Sequence, residues 1–247
     1  MTNPSGADHL PNSTTASSTS IWEDFVDIFT SPSAVFARRE NGGFWMPLII
    51  VTLAISILFI ATKGLMQPVF DADFARGAAA AMRKNPQLTE EQIATMRSVQ
   101  EKILYFAPLI FVPIGIFITA AALWLIGKLF DAAETYRTAV VVTAYAFIPR
   151  ILEVVVSAVQ AMLMDPASLN GRYAVSLGVG RFINPDTSSP FLIALLGRVD
   201  VFTIWITVLL AIGLSVTGRI PRARAAMAAA CVWVIGALPA LLGALRS

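Results

Sequence analysis

The run from Tyr136 to Asp165, YRTAVVVTAYAFIPRILEVVVSAVQAMLMD, is apolar enough to cross a bilayer yet carries Pro149, Arg150 and Glu153 near its middle. About 20 residues at 1.5 Å rise suffice to span the hydrocarbon. Pro149 leaves a carbonyl one turn earlier without its donor, which predicts a kink. Arg150 and Glu153 lie three apart, on one helical face, and so can partly neutralise each other. An ionised group at the bilayer centre costs about 2.5–3.5 kcal/mol on insertion scales. Both must therefore face protein or a water-filled crevice. A buried pair that fixes helix packing and a functional polar pocket both satisfy that requirement.

Composition agrees with a chain built for lipid. The sequence is 56% hydrophobic and only 14% charged, with a mean hydropathy of +0.70, against about 25% charge in soluble domains. The reading is an all-α polytopic membrane protein. A net charge of +2, with no basic run interleaved with aromatics, gives no reason to expect a nucleic-acid partner. Cys231 is the single cysteine, so no intrachain disulfide forms. His9, the single histidine, falls in a polar tail, which removes histidine-based metal or acid–base sites. No hydrolase elbow, P-loop or zinc-helix motif occurs. No catalytic residue, cofactor or metal is expected, and the chain is not read as an enzyme.

Taken in order, 1–20 is a Ser/Thr/Asn/Pro-rich tail expected to be disordered, with no cleavable signal. Ser20 and Glu23 make a capping box, followed by Trp22, Phe25, Val26 and Phe29 at helical spacing with acids opposite. Ser31-Pro32 restarts a helix that ends at Arg38-Arg39. Residues 21–41 are thus two interfacial amphipathic helices. Their acidic polar face favours docking on the protein's own helices over anionic lipid. Residues 42–247 form a five-helix transmembrane domain, with spans at about 44–62, 103–126, 138–164, 199–217 and 225–245.

Between the first two spans lies a helical extramembrane loop: Lys63-Gly64 closes the first span, Asn85-Pro86 breaks the loop helix, and a second capping box at Thr89 and Gln92 opens the next. Alternation at Tyr173, Val175 and Leu177 predicts a small β-hairpin cap. The stretch 191–196 is expected to lie in the interface or re-enter, with Gly197, Arg198 and Asp200 interrupting the apolar run. Depth matching then brings Arg198 and Asp200 toward Glu153 and Arg150, with Tyr145 one turn before Pro149. Gly236, Ala240 and Ala244 form a small-residue stripe for close helix contact, and Pro239 is expected to kink the last span. Arg219, Arg222 and Arg224 form the densest basic turn, which favours a cytoplasmic N-terminus.

Three pieces of sequence resemble the Yip1 domain family, five-span proteins of eukaryotic secretory membranes with a large prokaryotic branch. They are Asp27-Ile28-Phe29-Thr30-Ser31-Pro32, then Tyr145-Ala146-Phe147-Ile148-Pro149, and Asp200-Val201-Phe202-Thr203-Ile204-Trp205 leading to Leu209-Leu210-Ala211-Ile212-Gly213-Leu214. The likeness covers roughly 22–245. The first piece is one residue longer than the eukaryotic Asp-Leu-Tyr-Gly-Pro motif, so Rab-type GTPase binding is not carried over. The long first loop looks more like the prokaryotic branch. The resemblance implies a noncatalytic membrane-organising scaffold or adaptor for protein partners, docking through Trp22, Phe25 and Phe29. It places the chain in the cell (inner) membrane if prokaryotic, or in a secretory-pathway membrane if eukaryotic. The alternative is a small transporter or channel subunit with a midplane polar site at Arg150, Glu153, Arg198 and Asp200. Expected partners are the lipid bilayer, proteins not named by the sequence, and a second copy of the chain.

Overall fold

The computed structural model describes residues 20–245, so the expected disordered tail lies outside the described residues apart from Ser20. All regular elements among the described residues are helical: α1 Ile21–Thr30, α2 Pro32–Arg39, α3 Trp45–Lys84, α4 Glu90–Leu129, α5 Tyr136–Ala146, α6 Pro149–Leu163, α7 Pro190–Leu196, α8 Val201–Thr217 and α9 Arg222–Leu245. Four segments are long and apolar enough to cross a membrane: α3, α4, α5 with α6 taken together, and α9. The 17-residue α8 is apolar but shorter. Both anticipated capping boxes form, at Ser20 with Glu23 and at Thr89 with Gln92.

α3 continues past the expected end of the first span. It does not stop at Lys63-Gly64 but runs 40 residues, through Gly64 and Pro68, to Lys84. Glycine in a helix costs only about 1 kcal/mol relative to alanine, and packing outweighs it here. Lys63 places its ammonium 3.6 Å from the centre of the Tyr105 ring on α4. Val69 is buried in a cluster with Ala161, Leu169 and Val175. α3 and α4 therefore continue as a paired helical arm, tied by Arg97 to Asp71 at 2.6 Å.

The central apolar run is two helices rather than one kinked helix. α5 ends at Ala146 and α6 starts at Pro149. The Tyr145 carbonyl, which Pro149 cannot serve, accepts instead from the Ile148 amide at 3.1 Å. This tightened turn holds the backbone bonds that a continuous helix would have lost. Pro239, by contrast, sits inside an uninterrupted α9.

The expected β-hairpin cap does not form. Residues 165–189 instead hold two short 3-10 turns, Pro166–Ser168 and Val179–Phe182, and one isolated bridge joins Gly178 to Asp200. The alternating side chains serve packing instead. Val175 enters the cluster under α3, and the Tyr173 ring lies so close to Gly180 and Gly197 that a methyl group at Gly197 would collide with it.

The connections sort to two ends of the bundle. At one end Arg219 pairs with Glu40 at 3.2 Å, Arg224 pairs with Asp131 at 3.1 Å, and the Ala133 amide donates to the Gly218 carbonyl. The α2 terminus, the α4–α5 turn and the α8–α9 turn thus meet. Away from it, Arg76 on the arm bonds Asp73 and lies 3.6 Å from Asp186, and Arg172 lies 3.4 Å from Asp73. α5 and α8 approach closely where Gly213 faces Val142, both buried.

Candidate functional site

α4, α8 and α9, with the start of α6 and the two helix breaks, form a cavity of about 350 Å³ that both Arg150 and Arg198 line. Arg150 is the second residue of α6, directly after the proline at the break. Its guanidinium bonds Glu153 one turn on, as the spacing predicted. Arg198 occupies the break between α7 and α8. It donates from Nη2 to the Trp233 carbonyl at 3.2 Å and lies 5.8 Å from the Trp233 ring centre. Gly236 leaves the room for it, since a Cβ there would stand 3.1 Å from Nη2. Trp233 is halfway along α9, so the Arg198 side chain reaches the middle of that helix from the α7–α8 break.

The group of two acids and two bases expected from depth is divided. Arg150 and Arg198 share the cavity, and Glu153 is taken by Arg150. Asp200 instead caps α8, accepting from the Phe202 amide at 2.9 Å, while its second oxygen is buried without a partner. Among the described residues no ion pair joins Asp200 or Arg198 to an opposite charge. A short helix needs its orphan amides satisfied, and that demand draws Asp200 to the cap.

Tyr145 turns away from this cavity toward the pre-helix. Its hydroxyl donates to Asp24 Oδ2 at 3.4 Å, and its ring meets Phe25 edge-on at 6.3 Å. Phe29 likewise stacks edge-on against Trp205 at 5.3 Å. Of the three residues proposed for docking a partner, Phe25 and Phe29 therefore face the chain's own bundle, and Trp22 alone is open, 69% exposed. Docking on the protein's own helices, the expectation for 21–41, is what α1 and α2 do.

Sequence alone does not single out Asp24, Glu134 or Trp233. Asp24 is fully buried and bonded by Arg38 and Arg39. The acidic face of one short helix followed by a terminal Arg-Arg pair was the available signal, legible only once the two helices are folded back on each other. Glu134 is 4% exposed, and neither carboxylate oxygen has a hydrogen-bond partner. Burial pushes its carboxyl above the ordinary glutamate range, opposed in part by its own amide and by Lys128. Glycines at 127 and 218 make its slot, for a Cβ at Gly127 would lie 2.6 Å from Oε1. Among the described residues no group of acids, histidines or cysteines could hold a metal ion.

The family model for the Yip1 domain matches residues 26–243. The chain belongs to the Yip1 domain family. A relative from Bacillus subtilis (strain 168), described as "Membrane protein YknW", is 26% identical over 196 residues, covering 79% of this chain and 78% of the relative. No solved structure matches the chain. The Yip1 domain match takes in both helix breaks, the cavity and the second half of α1, while Trp22 and Phe25 precede it. The pre-helix is thus a working part of the Yip1 domain bundle, contributing Ile28, Val35 and Phe36 to its core.

Proposed function

We propose that this integral membrane protein is a noncatalytic scaffold that crosses the bilayer five times, with α7 and α8 together making the fourth crossing and the N-terminus in the cytoplasm. The basic α8–α9 turn, which shares its end of the bundle with α2, supports that orientation. In a bacterium the membrane is the inner one. The observation that carries the scaffold reading is the α3–α4 arm. Each helix has 40 residues, about 60 Å at 1.5 Å rise, roughly twice the hydrocarbon thickness. An arm continuous with two spans holds partner proteins at a fixed place relative to the membrane. Its α4 side exposes Met96 and Val99 among charged residues.

Photo-crosslinkers at Met96 and at Trp22 test this reading in native membranes. Deleting 1–40 is the wrong control, because it strips Ile28, Val35 and Phe36 from the core. Defined protein adducts that vanish when neighbouring exposed residues are charge-reversed support the scaffold. The absence of protein adducts at both positions overturns it.

Transport is the second reading, favoured by one observation: the breaks at 147–148 and 197–200 both face the arginine-lined cavity. Broken helices near the midplane commonly hold transported solutes. Flux in proteoliposomes that disappears in the folded Arg150→Leu, Glu153→Leu double variant would favour it over the scaffold.

A further inference from the structure

We infer that the cavity between α4, α8 and α9 binds an anionic amphiphile, holding its oxyanion headgroup between Arg150 and Arg198 while the alkyl chain leaves through the α4–α9 side. The argument begins with charge. Two guanidiniums and no carboxylate line the cavity, and Glu153 is bonded to Arg150. Arg198 has neutral partners only, the Trp233 carbonyl and ring. The site therefore carries one positive charge beyond its neutralising acid, at a depth where an uncompensated ion costs kilocalories.

Donors are in surplus as well. Arg198 Nε and Trp233 Nε1 are both buried without a hydrogen-bond partner. Such groups carry a desolvation penalty that a ligand acceptor removes. The planar Arg fork matches phosphate and carboxylate oxygens, which accept two bonds side by side. The other polar side chains in the lining are the neutral hydroxyls of Thr119, Thr203 and Thr207, of which Thr207 donates to the Thr203 carbonyl. Charge and donors both call for an oxyanion.

The mouth selects what carries that oxyanion. Ile118 on α4 and Ile235 on α9 line it and are 65% and 45% exposed. Gly115 leaves open space beside it, with nothing within 4 Å of where a Cβ would stand. In a bilayer these apolar surfaces meet acyl chains, so an alkyl tail exits there without desolvating polar groups. A volume of about 350 Å³ accommodates a headgroup and the first few methylenes rather than a whole lipid.

The test uses the full chain purified in a neutral detergent. Native mass spectrometry reads retention of dioleoyl phosphatidate, oleate, dioleoyl phosphatidylcholine and inorganic phosphate. Phosphatidate and oleate are expected to be retained, with phosphatidylcholine and free phosphate weaker by about tenfold or more. Arg198→Gln should lower phosphatidate retention by a similar factor. Gly115→Phe, whose Cβ would stand in open space at the mouth, should do the same in a chain that keeps its thermal unfolding temperature. Equal retention of phosphatidylcholine, or no loss in Gly115→Phe, overturns the proposal. Inorganic phosphate bound as tightly as phosphatidate overturns the amphiphile in favour of a soluble anion. The scaffold reading stands or falls separately, since crosslinks from Met96 on the arm do not depend on this cavity.

Discussion

Tyr145 and Asp24, 121 residues apart, meet where the Tyr145 hydroxyl donates to a carboxylate that Arg38 and Arg39 also hold. The contact fastens the pre-helix to the helix that ends at the central break. It also sets an order of severity. Asp24 is wholly buried, whereas the side chains of Arg38 and Arg39 are 32% and 27% exposed. Removing the acid leaves two cations that water can reach. Removing both bases leaves a buried carboxylate with only a tyrosine hydroxyl. Asp24→Asn should therefore cost about 1–2 kcal/mol, and Arg38→Met with Arg39→Met about 3–5 kcal/mol. Thermal unfolding in detergent reads the order, and a double variant as stable as Asp24→Asn would overturn it.

What the sequence disclosed and what it hid follow one division. The capping boxes at Ser20 and Thr89 and the Arg150–Glu153 pair are local, set by spacing within a single turn, and each formed. Apolar length likewise marked out the four helical segments that are long and apolar enough to cross a membrane. The passage of α3 through Gly64 and Pro68 depends on Val69 and Tyr105 contacts made far along the chain, which no local rule sees. Arg198 finding Trp233, 35 residues on, is of the same kind. Depth matching expected Arg198 and Asp200 near Arg150 and Glu153; Arg198 lines one cavity with Arg150, while Asp200 accepts from the Phe202 amide at the start of α8, a local demand that depth alone does not register.

Glu134 makes stability depend on pH. Burial raises its carboxyl, so the folded chain binds the proton more tightly than the unfolded chain does. Stability is then greatest below the ordinary glutamate range and falls as pH rises through the window up to the raised folded value. Lys128, whose ammonium already bonds the Ala132 and Glu134 carbonyls, offsets only part of this. Glu134→Gln should flatten that window and leave the chain at least as stable at neutral pH. Unfolding temperatures measured between pH 4 and 8 would count against the account if both proteins showed the same slope.

Gly213 is where α8 meets α5 with no room to spare. A Cβ there would run into the Val142 side chain, which is itself buried. Gly213→Val should push the two helices apart and destabilise by about 1–3 kcal/mol. Val142→Ala should recover part of that loss, since it vacates the space the new side chain needs. A double variant no more stable than Gly213→Val would show that the close approach at this pair is not what the glycine serves.

Topology gives the most direct check on the five-crossing reading. Cys231 is exposed on α9 and must first be replaced by serine. Single cysteines at Arg219 and Glu40 should then be labelled from one side of sealed vesicles, because the two side chains pair across one end of the bundle. Cysteines at Gln92 and Asp186 should be labelled from the other side. Gln92 opens α4 at the tip of the arm, and Asp186 lies near Arg76 on α3. The 17-residue α8 is the element at risk, spanning only about 26 Å, short of the hydrocarbon thickness unless α7 completes the crossing. Asp186 and Arg219 flank that pair of helices. Labelling of both from the same side would reduce the crossings by one and return α7 and α8 to a single membrane face.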